Sequence, residues 1–376
     1  MTGTNDNLLP PSKRVPVHVL PQLFKSTTNS YKFIFALSIL ELIKRRSGIH
    51  QDTIVFSLED LKIEMFTIAW YPHTLFRLNF GQQDMLAKAI DSLPKLKENV
   101  ENTAGRQSSI RNHLQNADPN SQVMRYVPYR FIRPFFAEET RGIPDQKINK
   151  LLVELSRKER GNARSLYYFT EDLEGIVLNQ EWHAYLRDHY AIIESWILWH
   201  WLNYMQAHNP NTPNIAAKIV PFSFRSALTR ERKEWSRCIT THPEPIFCPY
   251  SGSALNDHFE LDHILPWSLV AHNQLWNLIP CLPVVNAAKS ASIPHAEYLS
   301  LITENQYVFL RNTKQLSPNR SWDKIGSEYV MGLRLQGTDD LLVFSKLNEA
   351  YKRTYLPLME LAINQGFSGN WRYKPN

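Results

Sequence analysis

Three small groups of polar residues in one stretch of the sequence have the types needed for phosphate and metal chemistry. They are Asp262-His263, the single Asn277, and Asn286 followed by Lys289. A neutral imidazole can accept a proton near pH 7, which suits His263 to general-base catalysis. Asp carboxylates and Asn carbonyl oxygens are hard ligands of the kind that Mg²⁺ and Mn²⁺ prefer. Together these residue types could activate water beside a bound cation.

The elements expected to position these groups are a strand, a long loop, a second strand and a helix. Phe259-Glu260-Leu261-Asp262 and Leu278-Ile279 are short β-type segments in a Pro-rich window, and a helix is predicted from about Val284. Alternate residues of a strand face opposite sides, so Glu260 and Asp262 share one face. A role for Glu260 in the site and a solvated strand carboxylate are both open, and the second is the simpler interpretation.

The pattern resembles the HNH nucleases, also called His-Me finger or ββα-metal nucleases. The residues that carry the resemblance are Asp262-His263-Ile264-Leu265-Pro266-Trp267-Ser268, Asn277-Leu278-Ile279-Pro280 and Asn286-Ala287-Ala288-Lys289-Ser290. Their spacing is similar to that of the HNH domain in RNA-guided CRISPR nucleases, where the third signature residue is also Asn. Upstream, Cys248-Pro249-Tyr250-Ser251-Gly252 resembles the knuckle that precedes many HNH motifs.

The resemblance implies metal-dependent hydrolysis of DNA to 5′-phosphate and 3′-hydroxyl ends, with one Mg²⁺ or Mn²⁺ ion per site. His263 corresponds to the general base, and Asp262 and Asn286 correspond to the metal ligands. Asn277 corresponds to the middle Asn, which ties the long loop and helps to orient the histidine. Lys289, one helical turn after Asn286, is expected to reach the same phosphate.

The sequence also departs from the family. Many HNH proteins hold a structural zinc with two Cys pairs, but here Ser251 stands where the partner of Cys248 would be. One alternative zinc set can be drawn from scattered residues, namely Cys238, His242, Cys248 and Cys281. Buried free thiols are the ordinary alternative for these cysteines. We therefore expect a divalent metal at the catalytic site and no structural zinc.

The charge is unevenly distributed. The chain of 376 residues has a formal net charge of +6, which is compatible with a polyanionic partner. Residues 241–300 contain five carboxylates and one lysine, so this window carries −4 and the rest of the chain carries +10. An acidic window suits a cation but repels a phosphate backbone, so other residues must bind the nucleic acid.

The nearest basic segment lies on the helix predicted around Ser226 to Ile239. We assign nucleic-acid binding to Arg225, Arg230, Arg232, Lys233 and Arg237. The intervals Arg225–Arg232 and Arg230–Arg237 are each seven residues, which places these side chains on similar helix faces. A second cluster combines arginines and tyrosines, namely Arg125, Tyr126, Tyr129, Arg130 and Arg133. For any such cluster a solvated helix face is the ordinary alternative.

The remaining sequence predicts an α+β protein that is mostly α-helical, with a small embedded ββα-metal unit. Helices are predicted from Tyr31 to Arg46, from the capping box at Ser57 to Trp70 before Pro72, from Gln180 to Ala207 and from Ser345 to Gln365. Residues 101–121 are polar and predict a loop. The chain is accordingly divided into a helical N-terminal region (1–125), a helical, basic, DNA-positioning region (126–240), the HNH unit (241–300) and a helical C-terminal region (301–376).

Composition places the protein among soluble globular proteins. Hydrophobic residues make up 43% and charged residues 21%, and three cysteines are too few, and odd in number, for a secreted disulfide framework. The N-terminus has no signal segment, and the most apolar stretch, Ile192 to Met205, is too short and polar to span a bilayer. These features predict a cytoplasmic protein without a membrane partner.

The overall layout is similar to that of bacterial HNH endonuclease-domain proteins of restriction and anti-phage defence. Double-stranded DNA is the expected partner, and a homodimer is plausible because one site cuts one strand. A regulatory partner protein would be consistent with the need to avoid self-cleavage. Two alternatives stay open: a non-catalytic DNA-binding or regulatory protein that uses the ββα unit as a scaffold, and an RNA-acting nuclease.

Overall fold

The computed structural model describes residues 9–46, 54–94, 96, 103–117, 122–219, 226–316 and 320–375. The described residues are mostly helical, with five short strands in two antiparallel sheets, so the predicted α+β class is confirmed. The chain divides into two compact units, residues 1–210 with 218–220 and residues 211–217 with 221–376. Within the described ranges, no helix combines the length and apolar character that crossing a membrane requires.

The first unit is a helical assembly with one three-stranded sheet. Its helices are α1 (Tyr31–Arg45), α2 (Leu58–Thr74), α3 (Met85–Asp91), α4 (Thr103–Ala117), α5 (Val127–Ile132), α6 (Asp145–Lys158), α7 (Gln180–Asp188) and α8 (Tyr190–His208), and α9 (Ala216–Ile219) lies where the two units divide. The strands are β1 (Ile54–Ser57), β2 (Tyr167–Phe169) and β3 (Gly175–Leu178), in the order β1-β3-β2. Short 3₁₀ helices occupy Val17–Leu23, Gln122–Arg125 and Arg133–Phe136. One row of the sheet aligns Phe56, Ile176 and Phe169, all fully buried.

Helix α1 forms the centre of this unit. Ten of its fifteen residues are buried, as expected for a helix that is apolar on most sides. It packs against α2 and α8. Ser30 precedes it and donates both its backbone N–H and its hydroxyl to the buried Asp84. Lys44 and Arg45 lie in its last turn, where basic side chains complement the helix dipole.

The loop predicted for residues 101–121 is wrong, because α4 occupies Thr103–Ala117. Ile110 and Leu114 are four residues apart and fully buried, and α4 packs against α2. Arg111 of α4 pairs with the buried Glu64 of α2. A narrow apolar contact and one buried ion pair therefore stabilise a helix whose sequence is otherwise polar.

Two predicted helix ends also require correction. Helix α2 begins at the predicted N-cap, with the Ser57 hydroxyl accepting from the Asp60 N–H, but it runs through Pro72 to Thr74. The helix predicted from Gln180 to Ala207 is two helices, because His189 leaves helical geometry with φ −114° and ψ 24°. The carbonyl of His189 then accepts the first hydrogen bonds of α8.

The second unit surrounds a two-stranded sheet with helices. Its helices are α10 (Thr229–Thr241), α11 (Trp267–Val270), α12 (Pro283–Lys289), α13 (Tyr298–Leu316), α14 (Arg320–Leu333) and α15 (Phe344–Asn364). The antiparallel strands are β4 (Glu260–His263) and β5 (Leu278–Cys281), and 3₁₀ helices occupy Leu275–Asn277 and Thr338–Leu342.

One hydrophobic core runs through this unit. It includes Trp235 of α10, Ile279 of β5 and Trp322 of α14. The C-terminal helix also contacts the turn before β5, since the hydroxyls of Tyr351 and Tyr355 both donate to the Trp276 carbonyl, at 3.0 and 2.9 Å. Helix α15 therefore helps to hold the strands that carry the predicted site.

Candidate active site

The predicted polar residues lie on β4, β5 and α12. In the β4–β5 register Asp262 is opposite Ile279 and His263 is opposite Leu278. Helix α12 starts at Pro283, directly after β5, and packs against β4. Proline suits the first position of a helix because no intrahelical partner exists there for its missing N–H. The result is a compact strand–loop–strand–helix arrangement that places one face of β4 beside α12.

Asp262 is buried and accepts a hydrogen bond at each carboxylate oxygen. The ammonium of Lys289 lies 3.0 Å from Oδ1, and the Tyr250 hydroxyl donates to Oδ2 at 2.7 Å. Lys289 also donates to the His263 carbonyl at 2.9 Å and is fully buried. Removing either partner from such a pair leaves an uncompensated buried charge, which is strongly destabilising. The Lys289 ammonium thus points at Asp262, whereas the sequence predicted a contact with phosphate.

The turn that follows Cys248 delivers Tyr250 to Asp262. Its hydrogen bonds run from the Gly252 N–H to the Cys248 carbonyl, at 2.9 Å, and from the Cys248 N–H to the Ser253 carbonyl, at 2.8 Å. Gly252 has φ +70°, a conformation that favours glycine. Burial, followed by the neighbouring Asp262 carboxylate, raises the pKa of Tyr250 well above its usual range, so the hydroxyl is a fixed donor.

The ring of His263 is oriented by Asn273. His263 is 5% exposed, and its Nε2 lies 2.9 Å from the Asn273 amide oxygen. The Asn273 amide nitrogen donates to the carbonyl and the hydroxyl of Ser226, at 3.2 and 3.0 Å. A carbonyl can only accept, so the amide oxygen must face the histidine. The neutral ring therefore carries its proton on Nε2 and its lone pair on Nδ1.

Asn277 closes the loop between the two strands. Its side-chain oxygen accepts from the Leu265 N–H and its side-chain nitrogen donates to the Leu265 carbonyl, both at 2.9 Å. Tyr355 of α15 donates to the same side-chain oxygen at 3.1 Å. Asn277 is fully buried and has no direct contact with the His263 ring among the hydrogen bonds of the described residues. It fixes the backbone that follows His263.

Asn286 contacts Glu260 at the edge of a cleft. The Asn286 amide nitrogen donates to Glu260 Oε2 at 2.7 Å. Both side chains line a cleft of about 700 Å³ whose other wall is the start of α10, including Lys233. Glu260 is exposed and Asn286 is half-buried, whereas Asp262 lies deeper on the same strand face. Glu260 is thus an exposed strand carboxylate, which agrees with the simpler interpretation, and it also accepts a hydrogen bond from a predicted site residue.

The side-chain oxygens of Asp262, Asn286 and Glu260 are chemically suited to bind a hard divalent cation. A carboxylate has about four lone-pair sites, so the contacts with Tyr250 and Lys289 do not by themselves exclude a cation from Asp262. The Asn286 carbonyl and the Glu260 carboxylate add oxygen donors on the same side of the unit. No group of three or more His, Cys, Asp and Glu side chains that could hold a metal occurs in the described ranges. A cation here would therefore depend on the Asn amide and on water for part of its shell.

The predicted nucleic-acid-binding residues differ in what they contact. Arg230 pairs with Glu328 at 2.8 Å, and Arg237 donates to the Leu316 carbonyl at 3.0 Å. Arg232 donates to the carbonyls of Phe259 and Asp257 and stacks on the Phe259 ring, which fixes the segment that enters β4. Lys233 lines the cleft with an exposed side chain. Arg225 lies outside the described residues.

All three cysteines are buried free thiols. Burial raises the pKa of Cys238 to about 12 and raises that of Cys281 above its usual range, the Asp262 carboxylate adding to the second effect. His242, the fourth member of the conceivable zinc set, instead faces the Glu244 carbonyl at 2.9 Å through Nδ1.

The structure therefore brings Asp262, His263 and Lys289 into direct contact and places Asn286 on the same helix one turn earlier. Two partners are not assigned from the sequence, Tyr250 to Asp262 and Asn273 to His263. Tyr250 lies in the recognised knuckle, so its position was a usable signal. Asn273 lies in a loop whose contacts depend on the tertiary fold, and the sequence contains no local signal for its role.

Comparison with known families agrees with this geometry. Residues 248–295 match the family model described as HNH endonuclease. This segment contains every residue of the ββα unit and belongs to the HNH family, as the resemblance predicted. Members of the family are generally nucleases, so the match indicates a nuclease domain with nucleic acid as its partner. No match to the chain was found among curated proteins or among solved structures.

Proposed function

We propose that this protein is a divalent-metal-dependent HNH endonuclease that hydrolyses DNA phosphodiester bonds. In this proposal His263 is the general base, and Asp262 and Asn286 are ligands of one Mg²⁺ or Mn²⁺ ion. The observation that carries it is the clustering of an oriented imidazole, a buried carboxylate and a cleft-lining amide on one ββα unit of the HNH family.

His263 is suited to activate water. Asn273 holds its neutral ring with the proton on Nε2, so Nδ1 carries the lone pair that can accept a proton from water. The Lys289 ammonium holds the backbone carbonyl of His263, and Asn277 holds the residues that follow it. Both the ring and the backbone of His263 are thereby held in place. This reduces the reorganisation needed during the reaction.

The oxygen-rich side of α12 is suited to hold the cation. A bound Mg²⁺ or Mn²⁺ would act as a Lewis acid on the phosphate and stabilise the departing 3′ oxygen. Asp262 is oriented for this by Tyr250 and Lys289, and Asn286 by Glu260. We therefore propose that Lys289 is a positioning residue that acts through Asp262, and that Glu260 positions Asn286 or supplements its oxygen.

The cleft beside Asn286 offers a path for the substrate strand. Its walls combine Glu260 and Asn286 with the N-terminal half of α10, where Lys233 is exposed. Phosphate contacts would come from Lys233 and from Arg225, while Arg230, Arg232 and Arg237 stabilise the elements that form the wall. Electrostatic contacts of this kind contribute affinity without reading sequence.

The direct test is a cleavage assay on supercoiled plasmid, phage DNA and RNA with Mg²⁺ or Mn²⁺. We expect nicked and linear plasmid from the parent protein. His263→Ala should reduce the rate at least about 100-fold, because general-base catalysis typically contributes that much. His258→Ala is the matched control, since His258 is exposed and lies just upstream of the same strand.

Three outcomes would contradict the proposal. Retained cleavage in His263→Ala would remove the assigned base. Plasmid binding without nicking in either metal would favour the non-catalytic scaffold. Cleavage confined to RNA would favour the RNA-acting alternative.

We also propose a role in bacterial restriction or anti-phage defence, with a homodimer supplying the two cuts that duplex cleavage needs. This part rests on the overall layout and is tested separately. Cells expressing the parent protein should plate phage less efficiently than cells expressing His263→Ala at equal protein level. Equal plating would reject the defence role and leave the nuclease assignment to the cleavage assay. Sedimentation of the purified protein measures whether it is a dimer.

A further inference from the structure

The first unit contains a pocket of about 390 Å³ that the HNH unit does not explain. It lies between the segment before α1 and the segment around α5. Its lining includes Lys32, Arg130, Arg133 and Tyr126, together with the hydroxyl-bearing run Ser26-Thr27-Thr28. Pockets of roughly 300–1,000 Å³ are the size that holds small ligands.

The pocket concentrates positive charge. The Lys32 ammonium contacts the Ser26 carbonyl at 3.3 Å, and within the described residues neither Lys32 nor Arg133 has a carboxylate partner. Burial, followed by repulsion from Arg133, lowers the pKa of Lys32. Arg130 adds a third cation, although its guanidinium pairs with Asp145 at 2.6 Å. Lys32 and Arg133 line the same pocket and repel each other, so an anion bound between them would be stabilised.

The same pocket has an aromatic wall. Tyr126 lines the pocket and is 47% exposed, so its ring is accessible to a ligand. The Arg125 guanidinium lies 5.3 Å from the centre of its ring. Aromatic rings and arginine planes are the surfaces on which nucleobases stack. The neighbouring hydroxyls of residues 26–28 can donate hydrogen bonds to phosphate or sugar oxygens.

We propose that this pocket binds a nucleotide, with its phosphate between Lys32 and Arg133 and its base against Tyr126. A phosphate supplies the negative charge that neutralises the two cations. A nucleobase supplies the flat face that can stack on the Tyr126 ring. The site is within the first unit and uses no residue of the HNH unit. The proposal is therefore independent of the nuclease assignment.

Binding is tested on the full chain by calorimetric titration with AMP, GMP, CMP, UMP and inorganic phosphate. We expect at least one mononucleotide to bind more tightly than inorganic phosphate. The double variant Lys32→Gln/Arg133→Gln should weaken that mononucleotide at least about 10-fold, the effect of losing one charged hydrogen bond. Lys150→Gln/Lys158→Gln is the control: it removes the same two positive charges from exposed positions on α6.

The aromatic contact has its own variant. Tyr126→Ala should weaken the mononucleotide and leave inorganic phosphate unchanged, whereas a purely structural role would affect both. Tyr168→Ala is matched to it, because Tyr168 also lies under an arginine, Arg160, at 5.7 Å. Far-UV circular dichroism and thermal unfolding of every variant show whether it is folded.

Several results would overturn the proposal. One is the absence of mononucleotide binding at millimolar concentration, and another is unchanged binding in the folded double variant. Inorganic phosphate binding as tightly as every mononucleotide would remove the base contact. Binding of a single-stranded oligonucleotide but of no mononucleotide would show that this surface binds a nucleic-acid strand and not a nucleotide.

The His263→Ala variant should bind the mononucleotide as tightly as the parent protein, because the pocket uses no residue of the HNH unit.

Discussion

The position of the proton on the neutral His263 ring is determined by two successive hydrogen-bond partners, Asn273 and Ser226. Ser226 offers a carbonyl that can only accept, so it fixes the Asn273 amide, which in turn fixes the proton on His263 Nε2. Such partners of a catalytic histidine do not touch the substrate, yet they determine which ring nitrogen can accept a proton. In the proposed mechanism Asn273 is a positioning residue, and we predict that its loss affects the rate and leaves metal binding unchanged.

Replacing Asn273 by Ala tests this. We expect the single-turnover cleavage rate to fall about 10- to 100-fold, the range found for partners that orient functional histidines. The metal concentration for half-maximal activity should not change. Asn256→Ala, in an exposed turn of the same unit, should match the parent protein. A shift in the metal requirement, or no change in rate, would contradict the assignment.

Glu260 provides a second test at this scale. It accepts from Asn286 at the cleft, so Glu260→Gln keeps an acceptor there and removes one negative charge. We expect the Mg²⁺ concentration for half-maximal cleavage to rise about 10-fold, with a smaller effect on the maximal rate. Glu244→Gln removes the same charge from an exposed position without contact to the site and should leave both values unchanged. An unchanged metal requirement in Glu260→Gln would make this residue a bystander.

At the scale of elements, the loop between β4 and β5 depends on one side chain. Asn277 satisfies both backbone groups of Leu265 inside the core. Asn277→Ala should lower the free energy of unfolding by about 3 kcal/mol, because it leaves buried polar groups without partners. Asn286→Ala should change it by less than about 1 kcal/mol, since its side chain lies at the cleft. Urea unfolding followed by tryptophan fluorescence measures both, and equal losses would contradict this division.

The basic residues of helix α10 are expected to contribute unequally to nucleic-acid binding. Lys233 is exposed at the cleft, while Arg230 and Arg237 have partners within the protein. Lys233→Gln should reduce the slope of log affinity against log salt by about 0.9, the value for one lost phosphate contact. Arg230→Gln should change the slope much less. Filter binding of plasmid fragments from 50 to about 200 mM salt gives these slopes, and a larger effect of Arg230→Gln would reverse the assignment.

An element could be predicted from the sequence when the residues that stabilise it lie close together along the chain. The ββα unit was predictable because its signature residues and both its strands lie within one short window. The sheet of the first unit was not predicted, because β1 pairs with β3, which lies far along the chain. Helix α4 was missed because its stability depends on α2, through Ile110, Leu114 and the Arg111–Glu64 pair. Asn273 was missed for the same reason, since its hydrogen bonds to Ser226 exist only in the folded chain.

For the molecule as a whole, the net charge of +6 acquires a structural meaning. The acidic window holds its deepest carboxylate, Asp262, against Lys289, the single lysine of that window. The second unit therefore already contains the cation that neutralises this buried charge. Its core is continuous and rich in large aromatic side chains, and its cysteines are free thiols. Packing of this core and the buried Asp262–Lys289 pair both contribute to holding this unit together.

This leads to a prediction about metal removal. EDTA should abolish cleavage and leave the thermal unfolding midpoint of the whole protein within about 2 °C, because the loss of a catalytic ion changes stability by well under 1 kcal/mol when it is weakly bound. A structural zinc would behave differently, since its chelation removes folding free energy directly. Calorimetry with and without EDTA, together with metal analysis of protein purified without added metal, separates the two cases. One equivalent of zinc and a large fall in the unfolding midpoint would show that Cys238, Cys248 and Cys281 bind metal, and would reject their assignment as buried thiols.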